Sequence, residues 1–383
     1  MNIKNEISKL LPEIEAIRND IHTHPELSFK EYRTTDIILN FLSENNIEII
    51  DIGMETGAVG FLKSPKKNAP TIALRADIDA IDTDSGPAHL CGHDYHTATL
   101  LCCAKLISLH RDKLKSNVVF IFQPAEEVTE GAKAMFSHGL LEKLLVKPDM
   151  IFGIHNRPEM VDGTVRIQSG PIMARKSDFV ITVTGKTGHS GSPHQCIDPI
   201  TASASIINAA QTILSRNVNP LESCVCAICS IHGGTPANFA PVSVVMTGSV
   251  RSLSDETHDL CIKRINDISD SICSAYNCSG SVEVTDLVPV LYNSPTLTEL
   301  ARKVAIETVG ENGVVKTDPC LGSEDFAVFG KYIPSYFFWI GSGKANSYNP
   351  PWHSEDFTVG EKFLPVATEV LSRLAFLSDG KPY

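Results

Sequence analysis

The sequence predicts an α/β protein interrupted by a smaller α+β insert, and three features of its patterning say so. Between about residues 70 and 155, short apolar runs alternate with helical patterns. That rhythm belongs to a central, largely parallel or mixed sheet flanked by helices. From 176 to 289 the order becomes strand, helix, two strands, helix, strand, the split motif of a ferredoxin-like sandwich. Beyond 290 the helix–strand rhythm resumes. The expected layout is a discontinuous first domain, 1–175 with 290–383, around an insert at 176–289.

Each element rests on its local pattern. Ile3 to Ile21 carries apolar residues at helical spacing, and a second helix is expected from about Glu31 to Asn45, after the segment HTHPELSFKE. Thr71 to Arg75 reads as a buried strand that delivers Asp77 and Asp79 to a loop. Tyr95 to His110 reads as a helix, Val118 to Gln123 as a strand stopped by Pro124, Ala132 to Leu145 as a helix and Met150 to His155 as a strand. In the insert, Asp178–Thr184, Cys224–Ile231, Ser243–Arg251 and Ser281–Val288 read as strands, with helices at Pro199–Ser215 and Asp255–Tyr276. The return carries a helix at Pro295–Glu311, a strand at Tyr336–Gly341 and a closing helix at Glu361–Leu377.

Composition narrows the function. With 383 residues, 43% of them hydrophobic and 20% charged, the chain has too much apolar material for a disordered or fibrous protein. Its 33 basic and 45 acidic residues leave a net charge of −12, which argues against a nucleic-acid partner, since phosphate is met by basic surface. The apolar runs are too short to cross a bilayer, and charge interrupts the N-terminal segment where a signal peptide would be apolar. No membrane partner and a cytoplasmic location are expected. The 11 cysteines follow no disulfide-framework spacing, so reduced thiols are expected.

Polar chemistry gathers where apolar runs end, as it does at the strand ends of open α/β sheets. Cys91 and His93 stand two apart before a helix in HLCGHDYHTA, with Asp94 and His96 just behind. Thiolate and imidazole suit zinc and its first-row neighbours, although a surface loop with a buried cysteine gives the same letters. Glu126 and Glu127 follow a buried strand in FQPAEE, where paired carboxylates are costly without positive charge nearby. His155 in FGIHN and His353 in PPWHSEDF complete the set; each alone reads as well as a core or loop histidine. Together they favour a metal hydrolase. Cys224, Cys226 and Cys229 outline a second cluster, but their strand pattern suits packing. Gly341 to Gly343 lacks the strand–glycine–helix context of a phosphate loop.

HTHPELSFKE (22–31), RADIDA (75–80), CGHDYHTA (91–98), FQPAEE (122–127), GIHNRP (153–158), GPIMA (170–174), GKTGHSGSPH (185–194), DPITASA (198–204), PANFAP (236–241) and GSEDFA (322–327) resemble the M20 metallopeptidase family. The likeness is greatest to its aminoacylase- and hippurate-hydrolase-like amidohydrolase branch, and it runs through nearly the whole chain in order. The resemblance implies a catalytic α/β domain with an inserted lid and dimerisation domain. It implies Cys91, His93, Glu127, His155 and His353 as ligands of two divalent ions (zinc, manganese, cobalt or nickel), with Cys91 bridging. Glu126 would be the general base, and Asp77 or Asp79, less directly Asp94, would orient the ligands. His189 resembles the histidine that dimeric members present to the opposite protomer's site, and Asn238 and Arg251 lie in segments that commonly approach substrate. In that scheme Glu126 takes a proton from a water acidified by the ions and passes it to the leaving nitrogen, while His189 helps to hold the oxyanion. The implied activity is hydrolysis of small N-acyl amino acids, of N-acetyl or N-benzoyl type, by a homodimer. A dipeptidase or carboxypeptidase is the alternative within the family, and a catalytically inactive binding protein is the alternative outside catalysis. Two departures stand out: the segment IDTDSGPAHL is shorter than usual, with Asp82 in place of a proline, and Thr187 stands where a glycine is commoner.

Overall fold

Ile3, Ile7, Leu10, Ile14 and Ile21 fall on one face of α1 (Ile3–Thr23) and are buried, and Asn2 caps its start by accepting the Asn5 amide at 3.2 Å. This is a computed structural model, which describes residues 1–234 and 236–377. After α2 (Tyr32–Glu44) come β1 (Glu48–Ile49), β2 (Ala58–Leu62), β3 (Thr71–Asp77) and a short hairpin of β4 (Ile81–Thr83) and β5 (Gly86–Ala88). Next are α3 (His93–Leu109), β6 (Asn117–Gln123), α4 (Gly131–Ser137), α5 (Leu140–Lys143), β7 (Met150–Val161) and β8 (Val165–Arg166). Then follow β9 (Arg175–Thr184), α6 (Pro199–Thr212), β10 (Cys224–Gly233), β11 (Ser243–Ser252), α7 (Asp255–Ala275) and β12 (Ser279–Val288). The chain returns through α8 (Pro295–Val309), β13 (Val314–Val315), β14 (Ser335–Gly343) and α9 (Phe363–Leu377).

Two compact units result. The first comprises Met1–Gly170, Tyr292–Asp318 and the chain from Asp325 onward. Its eight-stranded sheet has the order β1-β2-β6-β3-β7-β14-β8-β13. The central pairs β6/β3, β3/β7 and β7/β14 are parallel, whereas β2 joins β6 antiparallel, so the sheet is mixed. β3, β6 and β14 are buried along their whole length, and α3 packs against the sheet with α1 and α9 around Leu100, Leu101, Leu106, Leu371 and Leu374. The α/β class expected from the sequence is the class observed.

The second unit comprises Pro171–Leu291 and Pro319–Glu324. It contains the expected 176–289 and adds the flanking residues and a short returning segment, held by Ala174 N–H to Gly322 O at 2.8 Å and Cys320 N–H to Ile172 O at 3.1 Å. Its antiparallel sheet has the order β10-β11-β9-β12, the ferredoxin-like arrangement. One face packs α6 and α7 over Phe179, Ile181, Val183, Val244, Met246 and Val250. Cys224 and Cys226 lie partly buried against this cluster and Cys229 is exposed.

Several elements differ from their sequence patterns. The helix expected over Ala132–Leu145 is split at Gly139, whose φ of 80° interrupts it between α4 and α5. The strand expected over Met150–His155 continues to Val161, because β14 pairs with it that far. α6 gives way to a wider π-type turn at Ile213–Asn217. β2, five buried residues without alternation, carries no periodic signal of its own. Among the described residues no helix is long and apolar enough to cross a membrane.

Candidate metal centre

The site forms where parallel strands of the first unit end. Register sets Asp77 of β3 beside Gln123 of β6, and Arg75 beside Gly153, which brings His155 of β7 to the level of Asp77. Cys91 closes the loop before α3, and His93 is the first residue of that helix. Gly92, between them, has φ 89°, and a Cβ there would come within 2.4 Å of Asn156 Nδ2, so only glycine fits between the two donors. Glu126 and Glu127 follow a left-handed Ala125 (φ 57°) just past β6. His353, also left-handed (φ 68°), is tied to the Cys91 loop by its amide N–H, which donates to Leu90 O at 2.9 Å.

These residues converge. Cys91 Sγ lies 3.5 Å from His155 Nε2. Glu127 reaches two imidazoles, with Oε1 3.8 Å from His93 Nε2 and Oε2 3.4 Å from His353 Nε2. The donor atoms of Cys91, His93 and His155 lie within 4.8 Å of one another, as do those of Cys91, Glu127 and His353, and those of His93, Glu126 and Glu127. Cys91 is common to the first two groups.

The surrounding hydrogen bonds fix which nitrogen each histidine offers. His93 Nδ1 faces the Asp79 carbonyl at 3.0 Å and Asp79 Oδ1 at 3.2 Å, both acceptors. Its proton therefore sits on Nδ1, and Nε2 presents a lone pair to the cluster. His155 Nδ1 donates to the Asn156 carbonyl at 2.7 Å, which leaves its Nε2 lone pair facing Cys91 Sγ. His93 Nε2 and Glu127 Oε1 are buried without a hydrogen-bond partner. Lone pairs aimed into one buried space, with nothing to donate to them, suit cations. Thiolate, imidazole and carboxylate together are donors for zinc and its first-row neighbours, and the clusters are consistent with two divalent ions.

Electrostatics agree. Burial, reinforced by the Glu127 carboxylate, pushes the Cys91 thiol well above its usual range. Burial, with neighbouring His96, holds His155 well below its ordinary value. At His93, burial is outweighed by the anionic Asp77, Cys91 and Asp79, which raise it: these groups draw positive charge to Nε2, a place that a proton or a divalent cation can take. At Asp77, burial is outweighed by His93, His96 and Arg75, which keep the carboxylate ionised. A thiolate among carboxylates at this depth requires added positive charge.

Asp77 and Asp79 both touch the centre. Asp77 Oδ1 accepts from His96 Nδ1 at 2.6 Å, and Oδ2 accepts from Arg75 Nη1 at 2.7 Å. Arg75 is fully buried and also donates to Gln123 Oε1 at 2.9 Å and Asp325 Oδ1 at 3.0 Å. Asn156 N–H donates to His96 Nε2 at 3.1 Å, so His96 is a neutral support behind the donors. Asp94 turns the other way: its Oδ2 lies 2.9 Å from His22 Nδ1 and 3.4 Å from Arg18 Nη1. Sequence reasoning assigned no role to His96, Arg75 or Asn156, although RADIDA, CGHDYHTA and GIHNRP contain them. Beside Glu127 and His353 lies a pocket of about 680 Å³ walled by Leu27, Ser28, Ala80, Leu90 and the β4–β5 hairpin with Asp82.

Three expected site residues belong to the second unit. His189 is exposed on a short ladder with Phe239, and the Gly191 amide donates to its Nδ1 at 3.0 Å. The Asn238 carbonyl accepts from Ser190 N–H at 2.9 Å, so these two segments share one loop pair. Arg251 stands on β11 opposite Lys176 and donates to the Leu321 carbonyl at 3.0 Å.

Residues 73–376 match the peptidase family M20/M25/M40. The chain is 35% identical over 373 residues to an N-acetylcysteine deacetylase of Bacillus subtilis, covering 94% of this chain and 95% of the relative. It is 34% identical to thermostable carboxypeptidase 2 of Saccharolobus solfataricus, covering 99% and 98% of the two chains. Among solved structures, a dinuclear metal-binding M20-family peptidase from Bacillus subtilis superposes with a TM-score of 0.82 at 32% identity, covering 97% and 98%.

Proposed function

The chain belongs to peptidase family M20/M25/M40, and on that premise we propose that it hydrolyses the amide bond of small N-acyl amino acids, of N-acetyl or N-benzoyl type. It is a metal-dependent amidohydrolase. One observation carries the reading: Cys91 belongs to two donor groups, one with His93 and His155 and one with Glu127 and His353. In this reading these five residues would hold two divalent ions, with Cys91 common to both donor groups. The bound ions would supply Lewis-acid chemistry, polarising the amide carbonyl and acidifying a water.

The chain's own residues do the rest. Glu126, in the His93–Glu127 group, takes the proton from water and delivers it to the leaving nitrogen. Asp79 and the Asn156 carbonyl keep His93 and His155 in the ligand tautomer, and Asp77, held by Arg75, supports His96. The inserted domain, 176–289, serves as lid and dimerisation module, and His189 stabilises the oxyanion from it, with Asn238 and Arg251 towards the substrate. The 11 free cysteines fit a reducing, cytoplasmic setting.

The likeness to an N-acetylcysteine deacetylase supports N-acyl amino acids, and that to a carboxypeptidase supports peptides as the second reading. Mass-spectrometric screening of the metal-loaded enzyme against N-acetyl and N-benzoyl amino acids and dipeptides tests the choice. Turnover of the N-acyl compounds is expected to lead. Dipeptides cleaved faster would move the protein to the second reading, and no turnover of either would overturn both.

A further inference from the structure

We infer that Glu31 is a positioning residue for the glutamate pair, its buried carboxyl group holding the amide of Ala125 and with it the left-handed turn on which Glu126 and Glu127 stand. The catalytic half of this inference rests on the proposed function; the structural half does not.

The segment 26–31 lies against the strand-end loops that carry Asp79 and the glutamate pair. The Glu26 carbonyl accepts the Ala80 amide at 2.8 Å. The Ser28 hydroxyl donates to Asp79 Oδ2 at 2.7 Å, and the same oxygen accepts the Glu127 amide at 3.1 Å. Glu31 Oε1 accepts the Ala125 amide at 2.8 Å. The backbone N–H groups of both chain neighbours of Glu126 are thus held by carboxyl oxygens, one belonging to this segment and the other gripped by it.

The turn requires holding. Ala125 has φ 57°, a conformation that an L residue with a Cβ adopts at a cost. Without an acceptor for its amide the turn has reason to relax, and both glutamates would move with it. Phe29, between the two anchors, is itself left-handed at φ 60°, so the segment takes a strained path to place Ser28 and Glu31 together. Glu31 is fully buried, and burial beside Asp79 pushes its carboxyl group up to about 7. A group held so near neutrality is well imitated by an amide, whose oxygen can take the same N–H.

Substitution separates acceptor position from charge. Glu31→Gln keeps an acceptor at the same reach, whereas Glu31→Asp keeps the acid but withdraws it by one methylene and leaves only a small void. Two readouts apply to the metal-loaded protein: amide hydrogen exchange of the peptide spanning 122–128, and kcat with KM and metal content on an N-acyl amino acid. In Glu31→Asp, exchange at Ala125 is expected to quicken by about tenfold or more and kcat to fall by roughly 10- to 100-fold, with KM and metal content little changed, as expected when a reacting group is misplaced by about 1 Å. Glu31→Gln is expected to recover most of both. Unchanged exchange in Glu31→Asp overturns the anchor, and altered exchange with undiminished kcat overturns the positioning role. A Gln variant as impaired as the Asp variant overturns both. If the wild type turns over no N-acyl substrate, the proposed function fails, while exchange still decides whether Glu31 holds the turn.

Discussion

Glu126 and Glu127 are neighbours in the chain with different surroundings: Glu127 reaches His93 and His353, while Glu126 groups with His93 and, separately, with Asp325. Replacing each by glutamine separates their roles. Glu126→Gln keeps the shape but not the base, so metal content should persist while turnover falls by roughly two to four orders of magnitude. Glu127→Gln should lower metal occupancy as well. Metal analysis of the two purified proteins reads the difference, and full activity in the Glu126 variant removes the proposed base. His89, one residue before the Leu90–Cys91 pair, offers a second test at this scale. It is 4% exposed, and burial pushes its imidazole down to about 4 from 6.5. Its folded pKa lies below the unfolded one, so the unfolded chain binds the extra proton. The stability it contributes is complete above about pH 6.5 and is lost as pH falls towards 4, by about 2 kcal/mol at pH 5. Urea midpoints of wild type and His89→Asn at pH 7 and pH 5 should show a smaller acid loss in the variant; equal losses would remove His89 as the cause.

At the scale of elements, the site depends on how strand ends are turned. The turn after β6 closes where the Gly131 amide donates to the Ala125 carbonyl at 3.1 Å, at the start of α4. A Cβ on Gly131 would stand 1.7 Å from the Pro124 carbonyl oxygen, and backbone cannot swing aside as a side chain can. Gly131→Ala is expected to destabilise the fold by about 2 kcal/mol or more and to lower turnover by displacing the glutamate pair. Thermal unfolding with kcat on the same sample checks it; a variant with wild-type Tm and kcat would mean the turn adapts freely. α3 shows the helical counterpart. Successive residues turn by about 100°, so Asp94 rotates away from His93 towards Arg18 and His22 of α1, while His96, three residues on, returns beside His93. That rotation explains why Asp94, close to the ligands in sequence, supports α1 packing instead. The patterning HDYH already contained this information once α3 is started at His93 rather than Tyr95.

At the scale of the whole molecule, the proposed role of His189 at a partner protomer's site is tested against an ordinary loop histidine whose site, if any, is its own. Single substitutions do not discriminate, because both arrangements make His189→Ala slow. Subunit exchange between inactive Glu126→Gln and inactive His189→Ala proteins does. If sites are shared across a dimer, each heterodimer has one site with both defects and one with neither, so activity should reappear. If each site is confined to one protomer, every site keeps a defect and the mixture stays inactive. Native mass spectrometry showing heterodimers without recovered turnover would rule out the shared site.

The sequence by itself determined the α/β class, the ferredoxin-like order of the insert and the donor types, because periodicity and side-chain chemistry are local properties of the chain. Cys91, His93, Glu127, His155 and His353 could be picked out as donors for that reason. Their sharing one space was decided by tertiary structure, through the parallel register that levels Asp77, Gln123 and His155 and the left-handed turns at Ala125 and His353. The supporting shell was decided there too. Arg75 meets Asp325 across 250 residues, and Glu31 meets Ala125 across 94, contacts that no local pattern encodes. The same holds for β2: five apolar residues become a buried strand only because β6 lies alongside to accept their pairing. Residue type says what a side chain can bind, and only the packed chain decides which lone pairs are left facing one another without a proton between them.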